Sequence, residues 1–362
     1  MSSIYEDCGI TNETLEIVDK LHFLSYVILN QIYLIFGLLC NIILLVAFYK
    51  QSKTEKAYGY QVVLAVSKVL EVVSFSVFLT TLKCFSGAEN QEAEWFVKNY
   101  TMMYLTARLG PVAHMVFIIC SLFLTLAMTS DRLFALTKPF VYKNIDRVRH
   151  QIVAACVCFL IGLSSSISDA WRYDVGGRVG HYKLITNEQY VQSAVAIVTA
   201  HVRTAVRVVG VLGLIILNMV AATIFYRRAR KVGQLTSNNS NDQKEKARKK
   251  AEKNLLVLSI YQAILMSINQ IPHMGYHVLA YLVPSFTRCA GMIYSPTADA
   301  MVMLTDSIDL FILIGVNKKM RTTVLRGLAC IIPCKSSSAT SEARVMTISV
   351  APSQTPSERN QQ

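Results

Sequence analysis

The chain has 362 residues, 53% of them hydrophobic and 16% charged, with a formal net charge of +13. So few charges exclude an ordinary soluble domain, in which about a quarter of the residues are charged. The basic excess fits contact with acidic lipid head groups and a cytosolic partner; nucleic acid is the weaker reading.

Residues 1–23 make an acidic, polar tail without the basic-then-apolar order of a cleavable signal, so the first apolar stretch is expected to serve as the targeting signal. The tail carries the glycosylation sequon at Asn12, and a second at Asn99 opens the third apolar stretch. A membrane helix needs about 20 mainly apolar residues. Seven stretches qualify: Leu24–Phe48, Tyr60–Leu82, Met102–Met128, Ile152–Trp171, Ile197–Phe225, Leu255–Val283 and Met292–Val316. Lys68, Arg203, Arg207, Asp299, Asp306 and Asp309 interrupt the second, fifth and seventh of them. The fold class is therefore an all-α membrane protein, a seven-helix bundle over residues 24–316.

Orientation follows from the basic residues, which collect on the cytoplasmic side. With the N-terminus outside, the inner loops and tail hold 25 of the 36 Lys and Arg residues. An odd number of crossings then leaves the C-terminus in the cytoplasm. The cytoplasmic run 244–253, including Lys249 and Lys253, favours helix and leads directly into the sixth span.

After the last span, residues 317–334 place Met320, Val324, Leu328 and Ile331 at helical spacing among basic residues, the pattern of an amphipathic helix lying in the interface. Cys330 and Cys334 are candidate palmitoylation sites there. Residues 335–362 are Ser/Thr-rich and expected to be a disordered cytoplasmic tail. Cys40, Cys120, Cys156 and Cys158 fall within apolar stretches and read as core packing. Cys8, Cys84 and Cys289 face outward, and Cys8 with Cys289 is one candidate disulfide among open pairings.

Charges inside the bilayer cost about 2.5–3.5 kcal/mol on insertion scales and normally find partners. Lys68 needs an acid, and Glu71 one turn along the same helix competes for it with Asp306 and Asp309. Arg203 and Arg207 lie one turn apart on the fifth span, with Arg108 at the outer end of the third. Two readings compete for these arginines: a joint anion site, or snorkelling to the outer head groups. His273 and His277 read as polar lining, since no third metal ligand is evident. No metal cluster, phosphate loop or nucleophile constellation is visible, so neither an enzyme, a metal nor a cofactor is expected.

Asp131-Arg132-Leu133 closes the third apolar stretch and is followed at short range by Pro139 and Tyr142. This resembles the Asp-Arg-Tyr motif of rhodopsin-like G-protein-coupled receptors, and the divergent letters resemble the nematode-type chemosensory and peptide receptors. Asn41 matches that family's first-helix Asn, Pro272 its sixth-helix kink, and residues 317–334 its eighth helix. Lys68 stands where an Asp usually lines a sodium site, while Asp309 matches the Asn of Asn-Pro-x-x-Tyr with Pro and Tyr replaced by Leu310 and Leu313. The resemblance implies that Lys68 takes the ion's place and pairs with Asp309, sharing Asp306.

Other letters depart from the family. Ala107 occupies the position of the usual third-helix cysteine and residues 172–204 contain none, so that disulfide is absent. Gln270 stands for the Trp two residues before Pro272, and His114 for the Asp that binds amines. The resemblance implies a plasma-membrane receptor for an extracellular small molecule or short peptide, signalling through a heterotrimeric G protein, with arrestin and a receptor kinase as further partners. Asp131, Arg132, Pro139, Tyr142, Lys249, Lys253 and Pro272 then serve coupling, with Asp131 paired to Arg132 at rest. Arg108, His114, Arg203, Arg207, Gln270, His273, His277 and Asp299 are the candidate ligand pocket. A transporter using the intramembrane Lys and Asp residues, or a non-signalling binding protein, are the alternatives.

Overall fold

The computed structural model describes residues 16–17, 20–21, 23–53, 58–79, 99–178, 181–235, 257–272, 274–275, 278–279, 290–316 and 320–325. Cys8, Asn12, Cys84, Lys249, Lys253, His273, His277, Cys289, Cys330, Cys334 and the tail 335–362 lie outside them. Met1–Val324 form one compact unit and Leu325–Gln362 a second.

Seven helices build the bundle: α1 (Asn30–Ser52), α2 (Gly59–Val73), α3 (Tyr100–Thr137), α4 (Arg147–Ser164), α5 (Ala194–Leu235), α6 (257–272) and α7 (Ala290–Val316). Five of the described helices are long and apolar enough to cross a membrane by length and composition. In α1 the buried residues Tyr33, Gly37, Cys40, Asn41, Leu44 and Phe48 recur every three or four positions, which turns one stripe inward. Ile35, Phe36 and Leu39 are more than half exposed on the opposite side, as side chains bathed by hydrocarbon should be.

At 38 residues α3 is the central element, packing against α2, α4 and α5. It spans about 57 Å at 1.5 Å per residue, well beyond the thickness of a hydrocarbon core. Asn99 caps its start, the carbonyl oxygen accepting from Met102 N at 3.2 Å. On the inner half Thr129, Asn218 and Ser259 tie α3, α5 and α6 together, with Thr129 and Ser259 hydroxyls 3.2 Å apart. Leu122, Val211, Leu214, Ala263 and Met266 form the apolar core just outside that clamp.

The fourth helix ends earlier than its apolar run predicts. Ser164 and Ser165 turn their hydroxyls back onto the Ile161 and Gly162 carbonyls at 3.1 and 2.9 Å, competing with the helical ladder, and Ile167–Trp171 continues as a 3-10 turn. Cys156, expected in the core, is exposed on the outer face of α4, while Cys40, Cys120 and Cys158 are buried.

The outer loop holds a hairpin that hydrophobic periodicity did not reveal. Strands β1 (Tyr173–Arg178) and β2 (His181–Thr186) pair antiparallel from Tyr173 opposite Thr186 to Arg178 opposite His181. Gly177 sits at φ 112°, which an L side chain adopts only with strain. Leu184 of β2 is buried against Met103 and Ala107 of α3. The small Ala107, where the resemblance would have a cysteine, thus seats the hairpin by apolar contact.

A short helix at Pro139–Lys143 follows α3 with proline at its first turn, where a missing N–H costs nothing. At the chain's inner end, within 320–325, Met320 and Val324 are buried, and Gln51 Nε2 reaches Met320 Sδ at 3.1 Å.

Candidate functional site

An ionic network sits inside the bundle. The helical stripe of α2 that buries Leu64, Ser67, Glu71 and Val72 also buries Lys68, so the ammonium is forced inward with no water to meet. Its Nζ lies 2.8 Å from Asp309 Oδ2 and 3.4 Å from Asp306 Oδ1 on α7. Asp306 also accepts from Tyr33 Oη of α1 at 3.0 Å and from Asn269 Nδ2 of α6 at 3.4 Å. One carboxylate therefore receives donors from α1, α2 and α6.

Glu71, the competing partner for Lys68, instead accepts from Ser121 Oγ of α3 at 3.2 Å, and Ser121 lies 3.0 Å from Ser67. Immediately beyond Glu71, α2 widens into a π-helix over Ser74–Leu79, where Ser74 Oγ turns back onto the Leu70 and Glu71 carbonyls. Such π segments frequently mark functional sites. Asn41, grouped with this network in the sequence, donates to Gly37 O of its own helix at 2.8 Å, so its hydrogen bond stays within α1.

The fold gives the three outer arginines different surroundings. Arg108 is committed to the hairpin, with Nη2 2.7 Å from Asp174 Oδ1 and Nη1 donating to Ala170 O at 2.9 Å. Arg203 pairs with Asp169 of the 3-10 turn. Neither Arg203 nor Arg207 snorkels, since both are buried. His114 stacks edge-on against Phe75 at 4.9 Å, and Asp299 is buried on α7. Gln270 donates to Asn269 Oδ1 at 3.1 Å, and Tyr294 Oη donates to Pro272 O at 2.7 Å, so α7 holds α6 at its proline.

At the inner end, Asp131 and Arg132 are both buried. Asp131 Oδ2 accepts from Tyr142 Oη at 2.7 Å, while the Arg147 guanidinium covers the Tyr142 ring at 4.4 Å. Burial first, then the Asp131 carboxylate, push the Tyr142 hydroxyl up to about 12, so it stays a donor at any physiological pH. Tyr60 Oη contacts His150 Nδ1 at 3.0 Å. Tyr60, Asp131, Tyr142, Arg147 and His150 line a cleft of about 440 Å³ between α2, α3, α4 and the Pro139–Lys143 helix.

Sequence reasoning missed Tyr33, Ser121, Asn269, Asp169 and Asp174. Tyr33 carried a usable signal, one turn before Gly37 on the stripe that also holds Asn41. The loop acids carried none, because no periodicity places a turn residue. Among the described residues no group of three His, Cys, Asp or Glu side chains is placed to hold a metal.

A family model described as the serpentine type 7TM GPCR chemoreceptor Srx matches residues 32–306. Among solved structures, the crystal structure of squid rhodopsin is similar in fold, with a TM-score of 0.65 over 87% of each chain at 14% identity. No curated protein matches the chain.

Proposed function

Since the chain belongs to the Srx family of serpentine seven-transmembrane G-protein-coupled chemoreceptors, we propose that it detects an extracellular small molecule or short peptide between the outer halves of its helices. It is a multi-pass membrane receptor that signals through a heterotrimeric G protein. In our reading the N-terminus is outside, the tail is cytoplasmic and the site of action is the plasma membrane of a sensory cell. Residues 1–23 are the outer tail, 24–316 the bundle, 317–334 the interfacial eighth helix and 335–362 a tail open to arrestin and receptor kinase. Membrane lipids contact the basic inner surface, Asn12 and Asn99 carry glycans, and Cys330 and Cys334 carry lipid.

The observation that carries the mechanism is Asp306, which takes donors from Tyr33, Lys68 and Asn269 on three different helices. The contact from α6 is an uncharged amide at 3.4 Å, longer than the Tyr33 contact at 3.0 Å and without the charge that strengthens the Lys68 contact, so it is the first to yield when α6 moves. Ligand binding shifts a two-state bundle by favouring the state in which α6 has swung outward about Pro272. At rest Tyr142 holds Asp131; on activation Arg132 turns toward the G protein, and Lys249 and Lys253, in the basic run that precedes α6 in the sequence, complete the contact.

Family membership favours this over transport through the Lys68 and Asp309 region. A ligand-library screen in cells carrying a promiscuous G protein, with Arg132→Ala as control, tests the reading. Responses that depend on Arg132 support it; responses unchanged by the substitution remove the coupling role.

A further inference from the structure

We propose that the ligand is anchored through a carboxylate on Arg207, with Gln270 receiving a hydrogen bond from an O–H or N–H group on the same molecule. This rests on the receptor reading above and names its ligand chemistry. Arg207 is the largest fully buried side chain among the described residues and is 0% exposed. Its Nη2 meets Met115 Sδ at 3.0 Å, a weak acceptor, while Nε and Nη1 have no hydrogen-bond partner among the described residues. A guanidinium does not shed its proton in proteins, so burying it with unfilled donors is unfavourable until an acceptor arrives.

The acids in its electrostatic surroundings are Glu71 and Asp169. Both are engaged elsewhere, Glu71 by Ser121 and Asp169 by Arg203. With Arg108 held by Asp174, Arg207 is the outer arginine whose fork is unfilled among the described residues. Its planar donor geometry fits a carboxylate in two-point contact.

Gln270 supplies the second, independent observation. It too is 0% exposed, and its Oε1 has no hydrogen-bond partner among the described residues. Val211 of α5 and Met266 of α6 pack in one cluster. One turn outward on each antiparallel helix come Arg207 and Gln270, unfilled donors on α5 and an unfilled acceptor on α6. Hydroxy and amino carboxylates satisfy both, and so does the free C-terminus of a short peptide; the shared group is a carboxylate beside a hydrogen-bond donor. Such a molecule bridges α5 and α6 at Gln270, two residues before Pro272, where it biases the helix that must move.

The test is thermal melting of the purified full-length receptor in lipid nanodiscs, as wild type, Arg207→Met, Arg207→Gln and Gln270→Leu. Probes are a panel of small 2-hydroxy and 2-amino carboxylates and a panel of dipeptides, each beside its primary amide. Without any probe, both Arg207 variants are expected to melt several degrees above wild type, because an unfilled buried charge has been removed. At least one carboxylate raises the wild-type midpoint while its amide does not, and both Arg207 variants lose that shift. Gln270→Leu weakens the same probe by about tenfold. Which panel responds distinguishes a small acid from a peptide terminus.

Arg207 variants that melt below wild type, together with no carboxylate shift, would overturn the proposal by showing an acid partner within the protein. Amides that shift wild type and Arg207 variants alike would also overturn it. G-protein nucleotide exchange on the same samples keeps the two readings apart. Carboxylate binding without exchange leaves the anion site standing and removes signalling, whereas exchange driven by an uncharged probe does the reverse.

Discussion

Lys68 shows how a single buried charge organises its neighbours. Held 2.8 Å from Asp309 and 3.4 Å from Asp306, it is a built-in cation that no change of medium can remove. Removing it leaves two uncompensated carboxylates, a change that costs about 3–5 kcal/mol for buried pairs. Lys68→Ala and Asp309→Ala should each lower the melting temperature of the purified receptor, and the double substitution should lose less than the sum, with a coupling of about 0.5–3 kcal/mol. Strict additivity would contradict the pairing. If, as the resemblance implies, the ammonium takes the place of an ion, replacing sodium by potassium at constant ionic strength should leave ligand-stimulated nucleotide exchange unchanged. A sodium-dependent response would count against that role. Tyr142 offers a pH test. Its folded value of about 12 lies above the ordinary tyrosine value of about 10. Its contribution is therefore fully present below pH of about 10 and lost as pH climbs through the folded value. Tyr142→Phe should cost about 2 kcal/mol at neutral pH, read by thermal melting, and the gap should close only in strong alkali. At this scale a mid-membrane lysine announced its need for an acid in the sequence, and the seventh-span aspartates were legible as partners. The fates of Arg108 and Arg203 were not, because Asp174 and Asp169 belong to loop geometry that no hydrophobic period encodes.

Among the elements, the outer hairpin carries the most weight. Without a disulfide it is held by Leu184 against Ala107 and Met103, and by Arg108 on Asp174. Leu184→Ala should cost about 2–5 kcal/mol if the hairpin packs as a unit, read as a lower melting temperature and faster hydrogen exchange at β1 and β2. Exchange unchanged across both strands would show that the hairpin is held by other means. The third and fourth helices meet at Gly162, where an added Cβ would sit 2.6 Å from the Val116 carbonyl oxygen. Alanine ordinarily favours a helix over glycine by about 1 kcal/mol. Here Gly162→Ala should destabilise the receptor instead, because backbone cannot yield as a side chain can. A raised melting temperature would show that the helices are free to part. Span positions were legible from hydrophobic length alone. Helix ends were not, since the end of α4 depends on serine back-bonding and the start of α5 at Ala194 lies within a stretch read as loop.

At the scale of the whole molecule, Asp306 links α1, α2 and α6 to α7, between the proposed ligand site and the proposed coupling surface. The seven spans and the Asp131-Arg132 pair were readable from sequence because bilayer thickness and charge cost impose them on any chain that crosses a membrane. The hub was not readable. It depends on which residues of α1, α2, α6 and α7 reach one depth, a relation between helices that pattern within each helix does not contain. A receptor built this way changes state when outer contacts favour the arrangement with α6 displaced, and the energy involved is that of a few hydrogen bonds. The most direct measurement is GTP uptake by a heterotrimeric G protein mixed with the purified receptor in nanodiscs, comparing wild type, Asp306→Asn and Arg132→Ala. Uptake should be faster with wild type than with empty nanodiscs, raised without stimulation for Asp306→Asn as the grip on α6 loosens, and no faster than with empty nanodiscs for Arg132→Ala. Equal rates for all three receptors would contradict this.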